Sequence, residues 1–280
     1  MELWFTEKQL TDQEEASTVS FSVKIKEMLY RERTGFQEIA VFDTYEFGKM
    51  LVLDGIIQLT LADEFIYHEM ITHVPLRAHP APRSVLVVGG GDGGSVREIS
   101  KYPAVERIVL AELDQKVIEV SRRFLPELGA AFSDPRVEVN IINGVDYVHS
   151  MKGVFDVVIV DSPDPLGPAE QLFGATFYQA VCEALTPDGI MVVQSESPFL
   201  NRRVVRQVCE NIKQSFPGFY YYLAPVPTYP GSLWSFAVGS RQHNPLEQKN
   251  AFLPAGTRYY TPEVHQAAFV LPPIIRSIFG

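Results

Sequence analysis

Apolar residues change their spacing along this chain. From Phe36 to Thr60 they fall in short strand-like blocks, "FQEIAVFD", "GKMLVLDG" and "IIQLTL", and the Asp54-Gly55 pair between two of them is a hairpin signal. After Asp63 the period becomes helical: Ile66, Met70, Ile71 and Val74 line one face, with Asp63 as the expected cap and Pro75 as the expected end. Further on, "SVLVVG", "RIVLAEL", "VEVNII", "FDVVIVD" and "GIMVVQS" alternate with helical stretches at 114–124, 171–185 and 200–214. "FYYYLAPVP" and "LWSFAVGS" read as a closing pair of strands around the turn "TYPG". The pattern predicts an α/β fold with a small N-terminal antiparallel β domain over residues 1–62 and a doubly wound, mostly parallel sheet over residues 63–280. In such a sheet ligands bind outside the carboxyl ends of the strands, so the residues just after each strand are the ones to question.

Composition narrows the partners. The net charge of −10, from 34 acidic and 24 basic residues, disfavours nucleic acid and suits a cationic ligand. No apolar run approaches the roughly 20 residues of a membrane span, and "MELWFTEKQL" carries no secretion signal, so the expected compartment is the cytoplasm. Cys182 and Cys209, the only cysteines, sit in helical patterns and read as buried thiols, not as metal ligands.

The first parallel strand runs into Gly89-Gly90-Gly91-Asp92-Gly93-Gly94, where Gly89, Gly91 and Gly94 keep the spacing of a nucleotide-binding loop. Glu112, after the second strand, stands where an acid accepts ribose hydroxyls. Asp92 is the anomaly. A dinucleotide would press its pyrophosphate against this charge, at a cost of several kcal/mol in a partly dehydrated crevice. S-adenosylmethionine brings an ammonium that Asp92 attracts and a carboxylate that it repels. Decarboxylated S-adenosylmethionine, with an aminopropyl tail and a sulfonium, removes the conflict. Glycines serving strand-to-helix packing alone are the plainer alternative.

After the fourth strand, "DSPDPLGPAEQLF" sets Asp161 and Asp164 three residues apart on a loop stiffened by Pro163, Pro165 and Pro168. With no histidine, serine nucleophile or cysteine in it that suits covalent catalysis, the pair suits an amine that arrives protonated and must lose a proton before attack. An ammonium of this kind titrates near about 10.4, so a base is needed, and Asp161 at the strand end is the choice. An acid pair that caps a helix or binds Mg²⁺ is the alternative.

The strings "GGGDGG", "DSPDPLGPAEQLF", "LVLDGIIQLT", "DEFIYHEM", "PTYP" and "YYTPEVHQAAFVLP" together resemble the polyamine aminopropyltransferase family, and the similarity runs from "ELWFTE" to the C-terminus. The resemblance implies a Rossmann-like catalytic domain of the methyltransferase type. It also implies transfer of the aminopropyl group of decarboxylated S-adenosylmethionine to putrescine, with 5′-methylthioadenosine released. That donor is a co-substrate; no cofactor and no metal are expected. By the same resemblance Asp92 holds the aminopropyl end and Glu112 the ribose, with Gln37, Gly89, Gly91, Asn143 and Gly144 on the donor side. Asp161 acts on the attacking amine, Asp164 anchors the diamine, and Gln58, Tyr67 and Tyr229 line the donor or diamine pocket. His68 is expected on the diamine side, where a polar residue on an exposed helix face is the plain alternative. Glu196, in "QSESPFL", is expected to hold the distal ammonium directly or through water.

One position departs from the family. Where an aspartate commonly precedes glycine and accepts the adenine amino group, "NIINGVDYV" has Asn143. An asparagine carbonyl still accepts, without charge assistance, a difference on the order of 1 kcal/mol. The resemblance further implies a homodimer or homotetramer assembled through the N-terminal β domain, and a loop over 162–173 that closes on the diamine. A methyltransferase on the same scaffold and a silent adenosine-binding protein remain open, as does the acceptor amine.

Overall fold

The computed structural model of the protein describes residues 2–8, 19–165 and 167–279. Among them, β1 (Leu3–Lys8), β2 (Ser20–Arg33), β3 (Glu38–Thr44), β4 (Lys49–Leu53) and β5 (Ile56–Thr60) form a five-stranded antiparallel sheet in chain order. The last three strands coincide with the apolar blocks of the sequence. β2 is long and largely exposed, so it carries no clear inward-facing alternation that a sequence reading would detect. Asp54 (φ 48°) and Gly55 (φ 84°) are both left-handed, as the tight hairpin between β4 and β5 requires.

Helix α1 (Glu64–Ala78) joins this sheet to the rest of the chain, and two expectations are corrected there. Asp63 makes no capping bond; its carboxylate accepts the Thr60 hydroxyl at 2.5 Å and the backbone N–H and hydroxyl of Thr228 at 2.9 and 2.7 Å. Pro75 does not end the helix but lies in its last turn, where its missing N–H removes only one bond. Every residue of α1 except Phe65 is buried. His68 is therefore not on an exposed face: it is 2% exposed.

The second sheet has seven strands, β6 (Ser84–Gly89), β7 (Arg107–Glu112), β8 (Val137–Ile141), β9 (Phe155–Asp161), β10 (Leu185–Gln194), β11 (Gly218–Ala224) and β12 (Trp234–Ser240). Their order is β11-β12-β10-β9-β6-β7-β8, parallel from β10 to β8, with the hairpin of β11 and β12 added antiparallel at one edge. Between the strands run α2 (Gly94–Ser100), α3 (Gln115–Phe124), α4 (Pro126–Gly129), α5 (Gly144–His149), α6 (Ala175–Ala184) and α7 (Arg202–Ser215), followed after β12 by α8 (Pro262–Ala268) and α9 (Pro273–Arg276).

The inner strands β6, β7, β9, β10 and β12 are buried on both faces, which explains their unbroken apolar runs, whereas the edge strand β8 is largely exposed. Val85, Val87, Ile108 and Ile159 pack with Met70, Ile71 and Val96 of α1 and α2; the alternate residues Leu86, Val88, Val109 and Val158 pack with Phe177, Val181 and Val205 of α6 and α7. Both cysteines are free thiols: Cys209 in α7 is buried as expected, with burial pushing it up to about 12, whereas Cys182 in α6 is only half-buried and is raised less far.

Chain order reverses between β6 and β9, the switch point where crevices form in open sheets. Ile39, Val41, Leu51, Leu53 and Leu59 of the first sheet pack on Val117 and Val120 of α3, Leu128 of α4 and Leu125 between the two helices, which brings that sheet beside this crevice. At the opposite end, His79 and His243 both point Nε2 at Asp188 Oδ2, at 3.6 and 3.3 Å. Their Nδ1 atoms face the Ala81 N–H and the Lys249 ammonium. Only the His243 contact is a hydrogen bond, and it clasps the segment after β12 to the base of the sheet. Among the described residues no helix is long and apolar enough to cross a membrane.

Candidate active site

The crevice is built around the register of β6 and β9, in which Gly89 lies beside Asp161. Gly89 has φ 80°, and a Cβ there would stand 2.2 Å from the Asp161 carbonyl oxygen, so no other residue fits. The next amide, Gly90 N–H, donates to that same carbonyl at 2.8 Å. Gly91 has a second constraint, since a Cβ would stand 2.7 Å from Glu112 Oε2, to which its own N–H donates at 3.1 Å. Thus the loop is fixed against the ends of both neighbouring strands.

Glu112 is buried, accepting from Gly91 N–H on one oxygen and from Asp114 N–H at 2.9 Å on the other. Burial pushes its carboxyl up to about 7, against the pull of these amides. Each oxygen accepts one of these amides and keeps a further lone pair free to accept. Gln37 reaches this side through Asp114, the cap of α3: Gln37 Nε2 donates to Asp114 Oδ2 at 3.2 Å, beside the Thr34 hydroxyl at 2.8 Å. Asn143 caps α5, its carbonyl accepting Val145 N–H at 2.8 Å, so one of its two lone pairs is already used. Gly144 follows because a Cβ would meet Val88 Cγ1 at 2.4 Å.

On the other side of the loop the acids converge. Asp161 Oδ1 accepts the Tyr67 phenol at 2.7 Å and Oδ2 the Ser95 hydroxyl at 2.6 Å. Burial and then the charge of Asp92 raise its proton affinity, while His68, Ser95 and Tyr67 oppose the rise. The result is a carboxylate held in one orientation and made more basic than an ordinary aspartate. Tyr229 donates to the Gln58 backbone carbonyl at 2.5 Å and lies 5.6 Å from the Tyr67 ring. Burial first, and Asp161 next, hold both phenols well above their usual range, so they stay protonated.

Asp164 sits at the mouth of the proline loop, which continues in a 3-10 turn over Gly167–Phe173; Leu166 lies outside the described residues. Behind Asp164 stands Glu196, at φ 70° and 2% exposed. Burial raises both carboxyls, and Asp164 raises Glu196 much further. Of the two, Glu196 is raised the more strongly, so a proton on this pair favours Glu196 and the charge favours Asp164, the residue that lines the pocket.

All the residues expected at the site on sequence grounds line one pocket except Glu196, which backs Asp164 instead of forming the wall. His68 is in that wall, yet both its nitrogens are taken: Nδ1 faces Glu64 at 2.7 Å and Nε2 faces Asp92 at 3.2 Å. It meets a ligand through Asp92. Ser95, Asp114 and Gln194 escape a sequence reading, because serine after a glycine loop, aspartate before a helix and glutamine at a strand end are common for local reasons. The signal for Ser95 is its place in the first turn after the loop.

The chain matches the family described as spermine/spermidine synthase domain over residues 64–250 and spermidine synthase tetramerisation domain over residues 3–60. It is 52% identical over 280 residues to a polyamine aminopropyltransferase of Thermoanaerobacter pseudethanolicus, covering 100% of this chain and 99% of that one. With the polyamine aminopropyltransferase of Moorella thermoacetica it shares 48% over 276 residues, covering 98% and 95%. Among solved structures, spermidine synthase in complex with the transition-state analogue AdoDATO superposes with a TM-score of 0.94 at 37% identity, over 99% of this chain and 94% of that one. Spermidine synthase from Thermotoga maritima gives 0.91 at 36%, over 99% and 93%. The fold, the pocket and these likenesses together establish that the chain belongs to the spermine/spermidine synthase family of polyamine aminopropyltransferases.

Proposed function

We propose that the protein is a spermidine synthase, transferring the aminopropyl group of decarboxylated S-adenosylmethionine to putrescine. The observation that carries this reading is the convergence of Asp92, Asp161 and Asp164 on one pocket, beside Glu112. Three carboxylates suit a cationic tail and a dicationic amine. They oppose a donor that keeps its own carboxylate.

In this reading Glu112 holds the ribose, Asn143 and Gly144 border the adenine, and Asp92 takes the terminal ammonium of the aminopropyl chain. The diamine lies between Asp161 and Asp164. Its proximal ammonium gives a proton to Asp161, and the free amine attacks the carbon next to the sulfonium. The carbon–sulfur bond breaks as the carbon–nitrogen bond forms, its electron pair stays on sulfur, and 5′-methylthioadenosine leaves. Positive charge moves from sulfur to nitrogen within reach of Asp161, whose raised proton affinity suits a base. Holding the two reacting atoms about 3 to 3.5 Å apart supplies much of the remaining rate.

Beyond Asp164 the pocket narrows between Ile57, Gln194, Pro230 and Trp234. A short diamine fits this better than a long polyamine. We propose further that residues 1–62 and 63–280 act as two domains, that the enzyme needs no resident cofactor or metal, and that it works in the cytoplasm as a homodimer or homotetramer. The match of residues 3–60 to a tetramerisation domain supports assembly through the first sheet.

The test is incubation with each donor and putrescine, read by mass spectrometry. Methylthioadenosine with only the decarboxylated donor supports the reading; S-adenosylhomocysteine from S-adenosylmethionine makes the protein a methyltransferase; neither product makes it a binding protein. Parallel reactions with cadaverine, agmatine and spermidine rank the acceptors. Asp161→Asn should abolish turnover and leave methylthioadenosine binding nearly intact.

A further inference from the structure

A chain of buried charges runs from Asp92 away from the pocket, between α1 and α2. Asp92 Oδ1 accepts from Gly94 N–H at 2.7 Å and faces His68 Nε2 at 3.2 Å. His68 Nδ1 faces Glu64 Oε2 at 2.7 Å, and both oxygens of Glu64 are gripped by Arg97 at 2.9 Å. Arg97 Nε continues to Glu98 at 2.8 Å. The side chains of His68 and Glu64 are 3% and 4% exposed. The ring lies so close to the start of α2 that a Cβ on Gly94 would stand 2.3 Å from its Cε1 atom. A neutral imidazole has one N–H and would turn a lone pair toward one of the two carboxylates. Only the imidazolium satisfies both.

We infer that Glu64, pinned and kept ionised by Arg97, is a positioning residue for the transfer reaction: it holds His68 as an imidazolium, and the imidazolium keeps Asp92 ionised and oriented for the donor's ammonium. This rests on the aminopropyl reading of the pocket. The need for such a device follows from the second aspartate. Asp92 and Asp161 occupy one dehydrated site, and two carboxylates so placed tend to share a proton. A shared proton would weaken Asp92 as an ammonium holder. The groups facing His68 and Asp92 are Glu64 and Tyr67 on α1, Arg97 on α2, Asp161 on β9 and Tyr229 before the last strand. Burial opposes the charge on His68, but Asp92 and Glu64 outweigh it and hold the imidazolium well above the usual range. Burial likewise acts to raise Asp92, and His68 and the Gly94 amide outweigh it, whereas Asp161 moves up. The two aspartates thus differ in proton affinity as holder and base require.

Two measurements test this. Nitrogen-15 NMR of the wild-type protein should show His68 as an imidazolium at pH 8; a neutral ring at pH 7 overturns the inference, whatever the enzyme turns over. In Glu64→Gln, affinity for decarboxylated S-adenosylmethionine relative to methylthioadenosine, which lacks the ammonium, should fall at least fivefold at pH 6.5. It should recover toward wild type by pH 9, as Asp92 regains its charge. His68→Gln, which removes the imidazolium itself, should move the same ratio in the same direction and serves if Glu64→Gln does not fold. Equal loss for both ligands at every pH, or an unchanged ratio, overturns the inference. Absence of turnover in the wild type sinks the proposed function instead and leaves the NMR result standing.

Discussion

Tyr67 donates its phenolic hydrogen to Asp161 Oδ1 at 2.7 Å, while Ser95 occupies the other oxygen. The two residues come from α1 and β9, ninety-four positions apart in sequence. Because the phenol stabilises the charged carboxylate, Tyr67→Phe should push the proton affinity of Asp161 higher still. We expect kcat to fall about tenfold to a hundredfold, the loss of one charge-assisted hydrogen bond and of orientation. The acid limb of the kcat profile should move to higher pH, with methylthioadenosine affinity unchanged. A limb that moves to lower pH contradicts the assignment.

If Glu112 holds the ribose as proposed, nucleoside binding should be sensitive to acid. With its carboxyl at about 7, the ionised form that accepts ribose hydroxyls is depleted below neutrality. Methylthioadenosine should bind about tenfold more weakly at pH 6 than at pH 8, from the fraction ionised at each pH. Calorimetry across that range reads it directly. In Glu112→Gln the dependence should vanish and binding should be weak throughout.

Two glycines with nearly the same positive φ separate strain from collision. Gly55 (φ 84°) has open space around a would-be Cβ, whereas Gly89 (φ 80°) has the Asp161 carbonyl at 2.2 Å. Gly55→Ala should cost about 1 kcal/mol for the left-handed conformation alone. Gly89→Ala should cost about 3 kcal/mol or more and also damage turnover, because the displaced carbonyl belongs to Asp161. Denaturant midpoints of the two variants give the comparison; equal losses refute it.

Acid should loosen the C-terminal segment. His265 is buried, bonded to the Pro245 carbonyl at 2.9 Å and the Tyr260 hydroxyl at 2.7 Å, and burial lowers it to about 4. Its folded value lies below the unfolded value of about 6.5, so the unfolded chain takes up the proton first. The stability this group contributes is present above pH 6.5 and is lost as pH falls toward 4, up to about 3 kcal/mol. His265→Gln should flatten that part of the stability curve; an unchanged slope assigns the acid sensitivity elsewhere.

The parallel strands were legible because burial on both faces writes continuous apolar runs, and "FDVVIVD" gives the span of β9 to the residue. β1 and β2 were not, since mostly exposed strands keep no inward alternation. Asp92, Glu112 and Asp161 stood out because an acid where a loop or strand end meets a ligand is chemically unexpected. Glu64 and Arg97 did not, for a glutamate and an arginine on amphiphilic helices ordinarily face water; only the packing of α1 against α2 makes their charges consequential. Asp63 looked like a cap for the same reason in reverse, its sequence position being ideal while its partner, Thr228, lies on a distant turn.

The latch between Gly90 and Asp161, backbone amide to backbone carbonyl, ties the glycine loop and the end of β9 into one unit. Evolution or engineering therefore has little freedom to slide one against the other. A new transfer chemistry on this scaffold has to be written in side chains, at 92, 161 and 164, while the spacing between the two strand ends is inherited unaltered.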